Sequence, residues 1–139
     1  MKKLLILAIL IIFTSGSVIA SSVNSYDKYG AKTGSYKTSG NTTTSYDRNG
    51  SKTGSYRTNG NTTTSYDKYG SKTGSYKTSG NTTTQYDKYG SKVGSYKTNS
   101  SGVTTAYDKY GRKTGSFKTD SSGKTVEYDK YGRKVGSYK

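Results

Sequence analysis

A repeat of about twenty residues constrains the fold of this chain more than any other feature of its sequence. Five copies and a partial sixth follow one another without interruption: 26–45, 46–65, 66–85, 86–106, 107–127 and 128–139. A self-similar period of this length is typical of repeat architectures, in which one small unit of secondary structure recurs along the chain.

Each copy contains two turn signals about ten residues apart. The first is Asp-x-x-Gly, as in Asp47 to Gly50, which predicts a type I turn closed by a glycine with positive φ and a bulge. The second is a glycine-containing turn at 39–41, which is one residue longer in the fourth and fifth copies, at 99–102 and 120–123. Because an insertion is tolerated in a turn but shifts the register of a strand, its position supports an alternation of strands and turns.

The segments between the turns predict β-strands, since they are rich in Thr, Tyr, Ser and Val. No window has helical apolar spacing, and the frequent glycines oppose a helix. We therefore expect an all-β protein of tandem hairpins, forming an antiparallel meander or a coiled, solenoid-like sheet after an N-terminal signal helix. The mature chain has few aliphatic side chains, so we expect the sheet to close or coil on its tyrosine face. Partial disorder until a surface is bound is the alternative.

The faces of the sheet follow from the lengths of the turns. A three-residue loop at 39–41 pairs Tyr36 with Thr44 and sets the ring of Tyr46 over Gly34, where it replaces the missing side chain. In the fifth copy, a four-residue loop sets Phe117 opposite Val126 and Gly115 opposite Tyr128. One face then contains Tyr36, Thr38, Thr42, Thr44, Tyr46, Gly54 and Tyr56.

Residues 1–20 have the pattern of a signal peptide. Two lysines precede an apolar run of about ten residues, which is too short to span a bilayer, and small residues end the segment at Ala20. We expect cleavage after Ala20, a short polar lead-in at 21–25, and a secreted or extracytoplasmic bacterial protein in the periplasm, at the cell surface or outside the cell. An uncleaved membrane anchor is the alternative. The chain has no cysteine, so it has no disulfides.

Catalysis, a cofactor and a metal site are not expected. With no His or Cys, a nucleophile would need a Ser–Lys pair or paired carboxylates, and these residue types recur in every copy rather than in one place. The segment Gly70–Ser75 lacks the order of a phosphate-binding loop. A basic residue follows each turn aspartate, which opposes calcium binding.

The charge and the tyrosines predict a binding surface. Lys and Arg number 23 against 8 acidic residues, and loss of Lys2 and Lys3 with the signal peptide lowers the net charge from +15 to +13. Basic rows beside aromatic rows suit a polyanion or a polysaccharide. A solvated surface whose lysines only block aggregation is the alternative. The predicted binding residues are Tyr36, Tyr46, Tyr56, Tyr66, Tyr76, Tyr86, Tyr96, Lys32, Lys37, Lys52, Lys72, Lys77, Lys92 and Lys97.

Two groups of bacterial repeats share this turn pattern. The run Tyr107-Asp108-Lys109-Tyr110-Gly111-Arg112 is similar to the Tyr-Asp repeats of Rhs-type surface proteins, which wrap into β-shells. The period, and the order Tyr-Asp-x-x-Gly then Thr-Gly-x-Tyr, resemble the choline- and glucan-binding repeats of cell-wall proteins. The resemblance covers residues 26–139 and implies a β-repeat fold at the cell surface. Those cell-wall repeats use Trp-rich pockets, whereas this chain has no Trp.

These observations predict a secreted, non-catalytic protein that binds an anionic polymer or polysaccharide of the cell envelope or matrix. We expect no specific nucleic-acid partner, and contact with the membrane only through the signal peptide before cleavage. A self-associating structural or adhesive protein is the alternative, since the partial sixth copy predicts an open strand edge on which further chains can stack.

Overall fold

Twelve β-strands alternate with tight turns in the computed structural model, which describes residues 21–139. The predicted signal peptide and its helix lie outside the described residues. No helix of the described part is long and apolar enough to cross a membrane. The strands are β1 (Ser21–Asp27), β2 (Lys32–Ser39), β3 (Thr42–Asp47), β4 (Lys52–Asn59), β5 (Thr62–Asp67), β6 (Lys72–Ser79), β7 (Thr82–Asp87), β8 (Lys92–Thr98), β9 (Val103–Asp108), β10 (Lys113–Thr119), β11 (Thr125–Asp129) and β12 (Lys134–Tyr138).

The sheet is an antiparallel meander that closes on itself as a barrel. Each strand pairs with its neighbours in sequence. In addition, β1 pairs with β12, where Ser25, Tyr26 and Asp27 lie opposite Tyr138, Ser137 and Gly136. The backbones of Asn24 and Lys139 also exchange two hydrogen bonds, of 2.7 and 2.9 Å. The all-β meander is therefore confirmed, and the segment 21–25, expected as a lead-in, is part of a strand that completes the partial sixth copy.

The Asp-x-x-Gly turns have the predicted geometry. In the second copy, the Gly50 N–H donates to the Asp47 carbonyl over 3.1 Å, and Gly50 has a φ of 85°. The Asp47 Oδ1 accepts the backbone N–H groups of Asn49 and Ser51, both over 2.9 Å. A register shift between Ser45 and Tyr46 marks the predicted bulge. All six such turns lie at one end of the barrel, which we call the aspartate end.

The second kind of turn is shorter than predicted. Ser39 pairs with Thr42, so the loop contains two residues, and Gly40 has a φ of 56°. Glycine with positive φ at the first position of a two-residue loop is the signature of a type II′ turn, whose twist matches that of the strands. The predicted three-residue loop at 39–41 is wrong by one residue.

That one-residue difference reverses the predicted faces, because side chains alternate along a strand. Tyr36 pairs with Ser45 rather than with Thr44, and Gly34 pairs with Asp47. The inner face takes Tyr36, Thr38, Gly54 and Tyr56. The outer face takes the other members of the predicted set: Thr42, Thr44 and Tyr46.

The longer turns of the fourth and fifth copies contain the inserted residue, as predicted. Each becomes a three-residue loop of the Asp-x-x-Gly kind, in which the Asn99 side chain accepts the N–H groups of Ser101 and Val103. The predicted four-residue loop of the fifth copy is wrong. Phe117 pairs with Glu127 rather than Val126, and Gly115 pairs with Asp129 rather than Tyr128.

One inward-facing aromatic side chain per copy fills the middle of the barrel. The ring of aromatic residues consists of Tyr36, Tyr56, Tyr76, Tyr96, Phe117 and Tyr138. Phe117 is the most deeply buried, at 1% exposure. Towards the end opposite the aspartate end, threonine hydroxyls pair across the strands, as in Thr38 with Thr43 over 2.9 Å. These pairs satisfy the polar groups that a threonine-rich interior brings out of water.

The strand glycines allow neighbouring backbones to approach closely, which differs from the predicted role. A Cβ added at Gly54 would lie 2.6 Å from the Tyr66 carbonyl oxygen. A Cβ at Gly34 would likewise meet the carbonyl of Tyr46, whose side chain is on the outer face. The prediction that the Tyr46 ring covers Gly34 is therefore wrong.

Substitution of Gly54 by alanine tests this close approach. The new methyl group must displace backbone rather than a flexible side chain, so we expect Gly54→Ala to lower the free energy of unfolding by about 1–3 kcal/mol. Urea denaturation followed by circular dichroism measures the change. Ser55→Ala, on the outer face of the same strand, is the matched control and is expected to change stability by less than about 0.5 kcal/mol. Equal effects of the two substitutions would contradict the interpretation.

Candidate functional site

The barrel divides the predicted binding tyrosines into two groups. The inward-facing group belongs to the aromatic ring described above: Tyr36, Tyr56, Tyr76 and Tyr96. The outward-facing group is half-buried on the barrel wall: Tyr46, Tyr66 and Tyr86. A single outer row containing all seven is therefore ruled out by the alternation of the strands.

The predicted lysines all lie exposed on the outer surface. One group follows the aspartate turns and lies across the strand from the outward tyrosines, as Lys52 does from Tyr46: Lys32, Lys52, Lys72 and Lys92. The second group lies further along the barrel: Lys37, Lys77 and Lys97. The Nζ of Lys37 is 5.6 Å from the ring centroid of Tyr46, within cation–π range.

Five further tyrosines, which the sequence reasoning missed, project from the aspartate end. They occupy the third position of the Asp-x-Tyr-Gly turns and are 71–84% exposed, and Asn49 takes the equivalent place in the second turn. A lysine Nζ lies 4.8–4.9 Å from each ring centroid. The signal for them was available, since an aromatic residue inside a tight turn has no strand neighbour to bury it. We call this set the turn crown: Tyr29, Tyr69, Tyr89, Tyr110 and Tyr131 with Lys28, Lys68, Lys88, Lys109 and Lys130.

The turn aspartates hold the crown in place. The Oδ1 of Asp67, for example, accepts the backbone N–H groups of Tyr69 and Ser71, both over 2.9 Å. The backbone of the tyrosine is thereby fixed while its ring stays in water. In the fifth and sixth turns, the hydrogen bonds from Arg112 and Arg133 hold the pKa values of Asp108 and Asp129 below their ordinary range. The crown is therefore built on an ordered backbone.

The crown is more open on one side of the barrel. The guanidinium groups of Arg112 and Arg133 lie 5.3 and 5.2 Å from the rings of Tyr110 and Tyr131. Those two tyrosines are 72% and 71% exposed, whereas the other three, which have no arginine beside them, are 81–84% exposed. The rings most available to a ligand are therefore Tyr29, Tyr69 and Tyr89.

Positive charge is concentrated at the aspartate end. Fourteen of the basic residues lie in the aspartate turns or directly after them, against six turn aspartates. Charges of one sign clustered around one end of a protein attract polymers of the opposite sign and speed their association. The fourteen are Lys28, Lys32, Arg48, Lys52, Lys68, Lys72, Lys88, Lys92, Lys109, Arg112, Lys113, Lys130, Arg133 and Lys134.

A cavity of about 760 Å³ extends from the aspartate end into the barrel, and we call it the cup. Its deepest level is formed by Tyr36, Tyr56 and Tyr76 of the aromatic ring. Above them, threonines at the mouth donate to serines on the neighbouring strands, as Thr53 does to Ser45 over 2.9 Å. Its wall comes from residues of β1 to β8 and from Lys68 of the third aspartate turn, so the cup is off-centre.

Side chains of the later strands fill the other side of the interior, and Gln85 at the boundary also lines the cup. The inward position that is serine on β1, β3 and β5 is Gln85, Ala106 and Glu127 on β7, β9 and β11. Gln85 donates to the Tyr76 hydroxyl over 3.0 Å and accepts from the Tyr96 hydroxyl over 3.2 Å. Burial raises the pKa of Tyr96 to about 12.

Glu127 is a buried carboxyl group on this filled side. It is 3% exposed, its Oε2 accepts the Tyr138 hydroxyl over 2.7 Å, and its Oε1 has no hydrogen-bond partner among residues 21–139. Burial raises its pKa, and the Tyr138 hydrogen bond opposes that rise. The group is therefore more easily protonated than an exposed glutamate.

The site combines exposed rings, ammonium groups and a hydroxyl-lined cavity. No cluster of three or more His, Cys, Asp or Glu side chains that could hold a metal ion occurs in the described part of the chain. No protein-family model matches the chain, and a search of curated proteins finds no match. The resemblance to surface and cell-wall repeats therefore stays a prediction.

Replacement of Glu127 by glutamine tests the buried carboxyl group. A folded-state pKa above the ordinary value of 4.5 stabilises the fold below that pH, and this stability is lost as the pH rises through the raised value. We therefore expect the stability of the wild type relative to Glu127→Gln to be constant in acid and to fall as the pH increases. Urea midpoints of both proteins across a pH series measure this. Effects of other carboxyl groups, such as Asp108 with its lowered pKa, cancel in the difference. A difference independent of pH would contradict the assignment.

Proposed function

We propose that the protein is a secreted, non-catalytic module that binds an anionic polysaccharide of the cell envelope or extracellular matrix through the turn crown. The observation that supports this most directly is the pairing, in five of the six aspartate turns, of a solvent-exposed tyrosine ring with a lysine. Exposed aromatic side chains held in water by the fold are typical of binding surfaces.

The two components of the crown suit the two chemical features of such a polymer. The face of a tyrosine ring packs against the apolar face of a sugar ring, and an ammonium group beside it pairs with a carboxylate or phosphate on the same or the next sugar. Because the turn aspartates already order the backbone, binding has to immobilise only side chains.

Repetition around the barrel adds avidity. Equivalent tyrosine–lysine pairs recur around one end of a closed sheet, so a polymer with repeating units meets several equivalent contacts at once. Once one pair is engaged, the next contact forms at a high effective concentration. Contacts that are individually weak are then sufficient for stable attachment.

The self-assembling alternative depends on an open strand edge, which the described residues do not provide. In the closed sheet, β1 and β12 each use both of their edges for pairing. A closed barrel removes the template on which strands of further chains stack. We therefore favour the binding module over a stacking fibre.

Three polymers separate the two components of the proposed interaction. Polygalacturonate has sugar rings and carboxylates, polyphosphate has charge without rings, and dextran has rings without charge. We expect the purified protein to sediment with polygalacturonate at low salt and to bind polyphosphate with a steeper loss on addition of salt. Dextran is expected to bind weakly or not at all. Failure to bind polygalacturonate at low salt would refute the proposal, and concentration-dependent growth in sedimentation velocity would favour self-assembly.

A crown variant identifies the surface. Combined substitution of Tyr29, Tyr69 and Tyr89 by alanine removes the three most exposed rings and is expected to weaken polygalacturonate binding at least about tenfold, given ~1–3 kcal/mol for each stacked ring. Asn49→Ala, in the equivalent turn without a tyrosine, is the control and should leave binding unchanged. Unaltered binding by the triple variant would exclude the crown as the binding surface.

A further inference from the structure

The cup and the open side of the crown lie on the same side of the barrel. The cup is walled by residues of β1 to β8 and by Lys68 of the third aspartate turn. Tyr29, Tyr69 and Tyr89 lie in the first, third and fourth aspartate turns, which connect strands of that wall. Lys68 is part of both, since it lines the cup and lies 4.8 Å from the ring of Tyr69. A ligand on the crown is therefore adjacent to the entrance of the cup.

The size of the cup is that of a small-molecule site. Its volume of about 760 Å³ falls within the range of roughly 300–1,000 Å³ that is usual for ligand pockets. The threonines at its mouth, such as Thr53, are exposed, so solvent reaches the interior from the aspartate end. At the opposite end, Thr43 and Thr104 are almost completely buried. A ligand therefore enters from the crown and stops within the barrel.

The chemistry of the lining suits a sugar. Each serine of the wall accepts a hydrogen bond from a mouth threonine, which leaves its own hydroxyl hydrogen free to donate. The hydroxyls of Tyr36 and Tyr56 form no hydrogen bond with another residue of the described chain, although both residues line the cup. Free hydroxyls beside flat aromatic rings are complementary to the hydroxyls and the apolar face of a pyranose.

The asymmetry of the interior results from differences in sequence between the copies. A barrel of identical copies would be equally filled all round, but the inward serine position becomes Gln85, Ala106 and Glu127 in the third, fourth and fifth copies. At the mouth, the first three copies have Thr33, Thr53 and Thr73 at one repeat position, and the fourth copy has Val93 there. The outer surface also departs from the repeat over these copies, as at Arg112 and Arg133, but only the inward changes alter the interior. They leave the cup on one side of the barrel.

We propose that the cup receives the terminal sugar of the polysaccharide whose following units lie on the crown, with Lys68 at the junction of the two. This inference rests on the proposed function and adds to it that the protein binds chain ends. The cup lies on one side of one end of the barrel, so it receives one chain end per molecule, whereas the crown alone would bind anywhere along a polymer.

Glutamine, which the third copy already has at position 85, is expected to close the cup when it replaces the wall serines. The variant Ser45→Gln/Ser65→Gln replaces two wall serines by glutamine. The barrel is expected to tolerate this change, because Gln85 already occupies the equivalent inward position on β7. The matched control is Ser55→Gln/Ser75→Gln, the same change on the outer face of β4 and β6. Circular dichroism and thermal unfolding establish that both variants fold.

Calorimetry with free galacturonate, galacturonate oligomers and polygalacturonate tests the inference. We expect the wild type to bind galacturonate once per molecule, and the cup variant to bind it at least tenfold more weakly, with the control unchanged. We also expect oligomers to compete with the polymer according to the number of chain ends rather than the mass of sugar. If the wild type binds the polymer but not galacturonate, the cup is not a sugar site and the proposed function stays intact. The same follows if the cup variant binds galacturonate as tightly as the wild type does. A wild-type protein that binds galacturonate in the cup but does not bind the polymer would overturn the proposed function, and with it the capture of polymer ends.

Discussion

The pairing of β1 with β12 is the interaction on which the rest of the structure depends. Because residues 21–139 contain few aliphatic side chains, they cannot stabilise an open sheet by burying a conventional apolar core, and an open layer leaves each tyrosine half in water. Closure surrounds the inward aromatic ring on all sides and buries Phe117 almost completely. It also pairs the backbone groups of the two terminal strands, which would otherwise be exposed edges. The residues before the first full copy are therefore structural, since Ser25 pairs with Tyr138 and Asn24 exchanges backbone hydrogen bonds with Lys139.

Much of this fold was predictable from the turns, but the assignment of faces was not. The Asp-x-x-Gly signal fixes the loop, the bulge and the glycine conformation through local hydrogen bonds, so its geometry follows from the residues alone. The segment around Gly40 is compatible with loops of two or three residues, and the choice between them decides which side chains point inward. Hydrophobic alternation usually settles that choice. Here tyrosine and threonine occur on both faces, as Tyr36 and Tyr46 illustrate, so the pattern contains no such information.

The candidate site was likewise predictable only in part. The outer lysines were identified correctly as exposed because strand lysines rarely point into a core. The crown tyrosines were missed because the predicted binding rows took their tyrosines from the strands alone, although Tyr69 lies inside a turn that the sequence predicts. The cup was beyond sequence reasoning, since the substitutions of serine by Gln85, Ala106 and Glu127 have no meaning until their common inward position is known. Once it is known, departures from the repeat become more informative than the repeat itself.

Closure also gives the two surfaces of the barrel different properties. The outside remains free to repeat, because the hydrogen bonds of each aspartate turn lie within its own copy. The inside is shared by all copies, so a side chain that enlarges in one copy takes space from the others, as Gln85 does by reaching both Tyr76 and Tyr96. Because the diameter of a barrel is linked to its number of strands, adding or removing a copy changes the interior that these side chains were selected to fill. A change in the number of copies therefore affects the interior more than the aspartate turns, whose hydrogen bonds lie within one copy.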